Sequence, residues 1–330
     1  MKAWSGVTLG LLVLLAAAPV AAQSPVKSAR IGMLRGFDDP SPMGPVAQNI
    51  TAFKQGLADD GYVEGRNLII EYRSPRTKTD RLEDLARELL RLNVDVIHAA
   101  GPQALRAARA ATTTTPIIAH DFETDPVAVG LIASYARPGR NVTGMFLDLP
   151  ELTGKWLELL RQVVPGVKRM AVFWDPNTGD AQRRAVETGA KSLGIALQVF
   201  EVHDRGELAR RFQLAVESRA GALIVLSSPL FTGPASASIA ELALRRRLPS
   251  VGLFPGYAEA GGLLTYGPDN TALYRQEARL VAKILNGARP GDLPIERPAR
   301  FLLVINMKTA KRLGVTVPPD VLARADRVIE

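Results

Sequence analysis

The run Val94-Asp95-Val96-Ile97-His98-Ala99-Ala100-Gly101-Pro102-Gln103-Ala104 decides how this chain folds. Residues 94–100, apolar except for Asp95 and His98, have the length of a strand, not of a helix, and read as a buried strand. Gly101-Pro102 closes that strand. Proline then opens a helix over 102–111, at the one turn where its missing N–H does no harm. A buried strand running straight into a helix is the first half of a parallel crossover.

The same grammar extends in both directions. Upstream, strands at 30–34 and 67–72 flank a helix marked by Val46, Ile50, Phe53 and Leu57 and stopped by Gly61. Leu82, Leu85, Leu89 and Leu90 mark the next helix. Downstream, a strand at 117–120 ends in Asp121-Phe122-Glu123-Thr124-Asp125-Pro126, and a helix is expected over 126–135. The pattern restarts with a strand at 168–174 that ends in Asp175-Pro176-Asn177. Strands at 196–202, 222–226 and 250–254 follow, separated by helical segments, one bearing Leu208, Phe212 and Val216 and another ending at Arg247. Alternation of this kind predicts an α/β protein of two doubly wound parallel-sheet lobes, built by right-handed crossovers. Two β-prone segments bounded by glycine, 141–146 and 262–267, fit neither run, and a further strand is expected at 301–305. They read as crossings between lobes and predict a multi-strand hinge. The first lobe would then hold residues 23–142 and 267–298, and the second 143–266 and 299–330.

Composition narrows the functional classes. Of the 330 residues 47% are hydrophobic and 22% charged, as in ordinary globular proteins. Met1-Lys2, an apolar run over 7–20 and the small residues Val20-Ala21-Ala22 before Gln23 have the layout of a secretory signal peptide over 1–22. The plainer alternative, a membrane anchor, needs a longer apolar stretch of about 20 residues. The leader looks bacterial, so the mature chain is expected in the periplasm. There are no cysteines, which removes disulfides, thiolate nucleophiles and cysteine metal sites. The three histidines, His98, His120 and His203, show no i, i+4 pair, so no metal and no cofactor is expected. The net charge is +8, but Arg245-Arg246-Arg247 ends a helical segment, where cations complement the dipole. No nucleic-acid partner is expected.

Ligands of open parallel sheets bind beyond the carboxyl ends of the strands. Those ends nominate Arg35, Ser41, Gly101, Pro102, Gln103, Ala104, Asp121, Asp125, Asp175, Asn177, Ser227, Ser228 and Phe254, with Tyr266 added from the later β-prone segment. Free N–H groups at Gln103 and Ala104 suit a carboxylate or phosphate. Asp121 and Asp125 suit an ammonium group. Plainer readings stand beside these. Asp125 would also serve as an N-cap, Asp175-Pro176 as a turn, the serines as caps and the two aromatic rings as packing. The chain has no Gly-x-Ser-x-Gly elbow, no phosphate loop, no Gly-x-Gly-x-x-Gly after the first strand and no calcium loop. No catalytic constellation is assembled, and an enzyme is not expected.

Longer motifs then meet a known pattern. Phe53-Lys54-Gln55-Gly56-Leu57, Gly61-Tyr62-Val63-Glu64-Gly65-Arg66-Asn67 and Arg137-Pro138-Gly139-Arg140-Asn141-Val142-Thr143-Gly144 resemble ABC-transporter substrate-binding proteins of the tryptophan- and tyrosine-binding type. So do Gly261-Gly262-Leu263-Leu264-Thr265-Tyr266-Gly267, Ile284-Leu285-Asn286-Gly287-Ala288-Arg289-Pro290 and the tail Arg324-Ala325-Asp326-Arg327-Val328-Ile329-Glu330. The resemblance spans essentially the whole mature chain. It implies the type I periplasmic binding fold, with ligand held between two lobes joined by a three-stranded hinge. It also implies an amino-acid-like ligand whose carboxylate meets main-chain amides, here those of Gln103 and Ala104. Relatives often carry Thr or Ser before this proline, where the present chain has Gly101. The expected partners are a small carboxylate-bearing molecule and the membrane permease subunits of an importer, with the receptor itself a monomer. A ligand-sensing module that reports to a membrane signalling partner is the alternative.

Overall fold

The computed structural model describes residues 28–36, 45–75 and 81–330. The expected signal peptide over 1–22 and Ser41 lie outside the described residues.

The first sheet is built from β1 (Ala29–Arg35), β2 (Leu68–Arg73), β3 (Val96–Ala100), β4 (Ile117–Asp121) and β5 (Val142–Phe146). Its order is β2-β1-β3-β4-β5, parallel throughout. Helices α1 (Pro45–Asp59), α2 (Leu82–Arg91) and α3 (Pro102–Ala111) make the crossovers. Their apolar stripes explain where they lie. Leu82, Leu85, Ala86 and Leu89 of α2 are buried, while Glu83 and Asp84 open that helix and Arg91 closes it, in keeping with its dipole.

The chain then passes through α4 (Leu149–Val163), β6 (Arg169–Trp174), α5 (Ala181–Ser192), β7 (Ala196–Glu201) and α6 (Leu208–Glu217). Next come β8 (Ala222–Val225), α7 (Pro234–Arg245), β9 (Ser250–Gly252), α8 (Pro255–Glu259) and β10 (Leu264–Pro268). Helix α9 (Asn270–Leu285) returns to pack on α1 and on β3, β4 and β5. The chain ends with β11 (Phe301–Asn306), α10 (Met307–Leu313), α11 (Pro319–Ala323) and β12 (Arg327–Ile329) in the second lobe. The second sheet has the order β12-β11-β10-β9-β8-β6-β7. Read from its β7 edge, it begins β7-β6-β8-β9-β10, which repeats the order of the first sheet. One pair departs from the parallel rule, β10 with β11.

Three differences from the sequence-based expectation stand out, two of them at the seams. Residues 141–146 do not form a crossing. They supply β5, which pairs with β4 in the register Ile117↔Val142. Residues 262–267 supply much of β10, in the second sheet, and 301–305 lie within β11 beside it. A β-prone run beside a sheet edge gains more by pairing than by bridging a gap. The crossings are the short connectors that follow: Leu147 and Asp148, then Asp269, then residues 297–300. These are tied to one another. Arg297 Nη1 lies 2.7 Å from Asp148 Oδ2, and Asp269 N–H donates to the Arg300 carbonyl at 3.0 Å. Third, residues 126–135 form turns, not a helix. Their apolar residues alternate instead of repeating every three or four, and Val127 and Val129 are exposed. Gly130 adds a left-handed φ of +68°.

Glycine is required at 144. It adopts φ +138°, and a Cβ there would sit 2.2 Å from the Ala119 carbonyl oxygen. Gly144→Ala should therefore cost about 3 kcal/mol or more. Thermal unfolding should show a drop of several degrees, and an unchanged midpoint would disprove the close β4–β5 approach.

Candidate functional site

Each sheet reverses its winding beside its first strand, β1 next to β3 and β6 next to β8. A crevice opens at such a point beyond the strand ends. The two crevices face each other, and the nominated residues divide between their walls.

On the first wall, β1 ends in Arg35, which is buried, and Gly36 N–H donates to the Ala100 carbonyl at 2.9 Å. Gly101 takes φ +95°, donates its N–H to the His120 carbonyl at 2.8 Å, and starts α3 without a side-chain cap. The next residues are Pro102, Gln103 and Ala104. Gln103 Oε1 is buried and has no hydrogen-bond partner among the described residues. Asp121, wholly buried at the end of β4, accepts N–H groups from Glu123 and Thr124 at 2.9 and 3.0 Å through Oδ1. No donor among the described residues reaches its Oδ2. Glu123 accepts the Phe122 N–H at 3.1 Å on one oxygen and the Ser227 hydroxyl on the other. Burial raises both carboxyls. Glu123 is pushed up to about 8, by burial first and then by the charge of Asp121.

On the second wall, Asp175 caps the turn after β6 by accepting Asn177 N–H at 2.9 Å, and its other oxygen accepts the Ser228 hydroxyl at 2.6 Å. Ser227 is clamped through its backbone by Gln182, which accepts its N–H and donates to its carbonyl, both at 2.9 Å. Phe254 is half-buried at the end of β9.

The walls touch. Ser227 donates to Glu123 across the gap, and Arg106 of α3 donates to the Asn177 carbonyl at 2.8 Å. The Phe122 and Phe254 rings are 5.9 Å apart. A Cβ at Gly101 would lie 3.8 Å from the Pro229 ring, so the glycine admits the second lobe closely. This is a closed arrangement of the lobes.

Three nominated residues stand apart from this convergence. Asp125 accepts the N–H groups of Val127 and Ala128, both at 3.1 Å, and so caps its own turn. Asn177 is exposed and offers only its backbone to the first lobe. Tyr266 stacks on Phe301 at 5.5 Å within the second lobe, and its carbonyl accepts Trp156 Nε1–H at 2.7 Å. Sequence reading missed Glu123, Gln182 and Arg106. Glu123 shares its loop with Asp121, which was a usable signal. Gln182 and Arg106 lie on helices and had none.

A second polar group lies behind the first wall. Glu277 of α9, fully buried, has one oxygen 2.8 Å from His98 Nε2 and the other 2.7 Å from His120 Nδ1. The strands bring together histidines that have no sequence spacing in common. These ligand-type atoms lie within 4.8 Å of one another, but each carboxylate oxygen already engages one imidazole. The set is a hydrogen-bonded trio. Burial alone would raise the Glu277 carboxyl; the two imidazoles outweigh it and hold it below the usual range.

Residues 45–329 match the family described as ABC transporter substrate binding protein. The chain belongs to that family. Proteins of this family work outside the cytoplasm, and no helix among the described residues is long and apolar enough to cross a membrane. Among its relatives is a Tyrosine-binding protein of Clostridioides difficile, 26% identical over 268 residues, which are 80% of this chain and 75% of the relative. A conserved domain protein from Vibrio cholerae superposes with a TM-score of 0.83 at 27% identity, covering 92% of this chain and 100% of that one. An ABC domain in complex with L-Trp from Streptococcus pneumonia gives 0.83 at 23% identity, with the same coverage. The ligand-free, open structure of CD0873 from Clostridium difficile gives 0.67 at 23%, covering 91% and 99%. These solved structures carry the same two-lobed periplasmic binding fold.

In this substrate-binding protein the trio should be structural. A depressed carboxyl contributes stability above the ordinary Glu value near 4.5 and loses it as pH falls through the folded value. Glu277→Gln should therefore lower the melting temperature at pH 7, with a loss of about 3 kcal/mol. The gap between mutant and wild type should narrow below about pH 4.5. A gap independent of pH would rule out an ionised Glu277.

Proposed function

We propose that this protein is the periplasmic solute receptor of an ABC importer, exported by a cleaved leader over residues 1–22, and that it makes or breaks no bond in its ligand. Its ligand is a small carboxylate-bearing molecule, an amino acid or a close relative. One observation carries the ligand site: two buried polar atoms without hydrogen-bond donors or acceptors among the described residues, Asp121 Oδ2 and Gln103 Oε1, lie at adjacent strand ends on the wall that meets the second lobe. Such atoms are costly unless something pairs with them. The uncapped start of α3 beside Gly101 offers N–H groups to a carboxylate. A relative named for tyrosine binding and a solved neighbour holding L-Trp support an amino acid.

The mechanism is closure. The lobes turn about three short connectors, and ligand binds the closed form better because both walls contact it there. Contacts such as Ser227 to Glu123 and Arg106 to Asn177 complete that form. The closed receptor then docks as a monomer on the permease subunits.

A thermal-shift panel of L-tyrosine, L-tryptophan, other amino acids and small organic acids tests this reading. At one hundred times the dissociation constant a true ligand adds about 2.7 kcal/mol, a rise of several degrees. Asp121→Ala should abolish most of that rise. No shift with any compound, together with turnover of some substrate, would overturn the receptor reading.

A further inference from the structure

Three features of the molecule invite a role beyond simple closure. One is an open basic hollow of about 540 Å³ lined by Arg109, Arg140 and Arg289, with Asp292 among its residues. Its arginines have ordinary neighbours: Arg109 donates to Asn141 at 2.5 Å, and Arg289 lies 3.6 Å from Asp292. Another is the Glu277 trio, whose hydrogen bonds satisfy its carboxylate. The third is the Asp121–Glu123 pair, and it carries the argument furthest.

Both carboxyls are buried, at 0% and 5% exposure, two residues apart on one loop. Neither forms an ion pair with a Lys, Arg or His among the described residues; the charged neighbour of Glu123 is Asp121 itself. Asp175 across the gap has an N–H on one oxygen and a hydroxyl on the other, as Glu123 has, whereas Asp121 Oδ2 has no donor among the described residues. Compare Glu277, which has two imidazoles. The other titratable or charged groups at these strand ends are Arg35 on β1, His120 on β4 and Asp175 after β6. Two anions so close in a medium of low dielectric demand one positive charge between them. With the lobes shut, a bound proton or a cationic group of the ligand can supply it.

The geometry points to an exchange: the ligand carries a cationic group that docks at Asp121 Oδ2, and its arrival expels to solvent the proton that the empty Asp121–Glu123 pair shares. This rests on the solute-receptor reading and narrows its ligand class to cations and zwitterions. Ser227 gives the exchange its link to closure, because its hydroxyl reaches Glu123 from the other lobe. With no ligand, the pair is easiest to enclose in its protonated form. Its raised affinity for protons makes empty closure favourable at low pH and less so as pH rises through about 8.

Titration calorimetry at pH 7, in buffers of low and high ionisation enthalpy, tests the exchange. The probe is the most stabilising amino acid of the thermal panel, L-tyrosine and L-tryptophan included, beside its deaminated acid. The amino acid should release between about half a proton and one on binding, as expected of a buried carboxyl whose affinity for protons is raised. The deaminated acid should bind at least about tenfold more weakly and release none. Glu123→Gln should fold, shown by a cooperative melt, and bind with less than half of that proton release. Equal heats in both buffers would overturn the exchange, as would equal affinity for the deaminated acid or stabilisation by organic acids alone. Those results leave the receptor reading standing, whereas a panel with no ligand at all would remove both.

Discussion

A parallel strand can reach its neighbour only by a right-handed crossover, and this constraint organises the molecule. It puts the carboxyl ends of β1 to β10, and the loops that leave them, on one edge of their sheets; β11 and β12 run the other way. Two sheets with the same order, β2-β1-β3-β4-β5 and β7-β6-β8-β9-β10, therefore present two comparable edges. Face to face, those edges make a cleft out of loops that are far apart in sequence. Ser227 meets Glu123 and Arg106 meets Asn177 for no other reason. The connectors also follow from it. The chain must leave the first lobe after β5, return after β10 and leave again before β11, so three short passages lie side by side and Arg297 ties to Asp148 between them.

The buried acids divide by how their charge is answered. Glu277 is held ionised by two imidazoles, and this pins α9 to β3 and β4 beneath the first wall. Asp175 is answered by hydrogen bonds within its own lobe and caps a turn. Asp121 keeps one oxygen without a donor among the described residues, and its charge bears on Glu123 beside it, where the lobes meet. Burial that would merely destabilise elsewhere becomes useful at that place. It leaves a demand for positive charge that a suitable solute can meet only when the cleft is shut.

Much of this was legible in the sequence. Apolar runs ending in polar, proline-bearing loops marked β1, β3, β4, β6 and β8 to within a residue or two, because a buried strand must be short, apolar and punctuated. The same loops supply most of the residues of the candidate site, since ligand crevices of this architecture open beyond the strand ends. The failures have physical causes too. Residues 141–146 and 262–267 carry a strand's composition, but composition does not reveal which sheet a strand joins. A helix is expected over 126–135 behind Asp125 as its cap, but Gly130 and the carboxylate of Asp125 turn the segment into a set of bends. Gln182 and the Glu277 trio were out of reach, because their partners are set by tertiary contact alone. Tyr266 was drawn toward the cleft by its glycine-bounded segment, yet the pleat of β10 turns it onto Phe301.

Hydrogen–deuterium exchange measured with and without a stabilising amino acid tests the central claim most directly. If the solute is clasped between the lobes, protection should rise together at 101–104 and 121–124 on one wall and at 175–178 and 227–228 on the other. Protection confined to one lobe, or appearing instead around Arg109 and Arg140, would contradict the account.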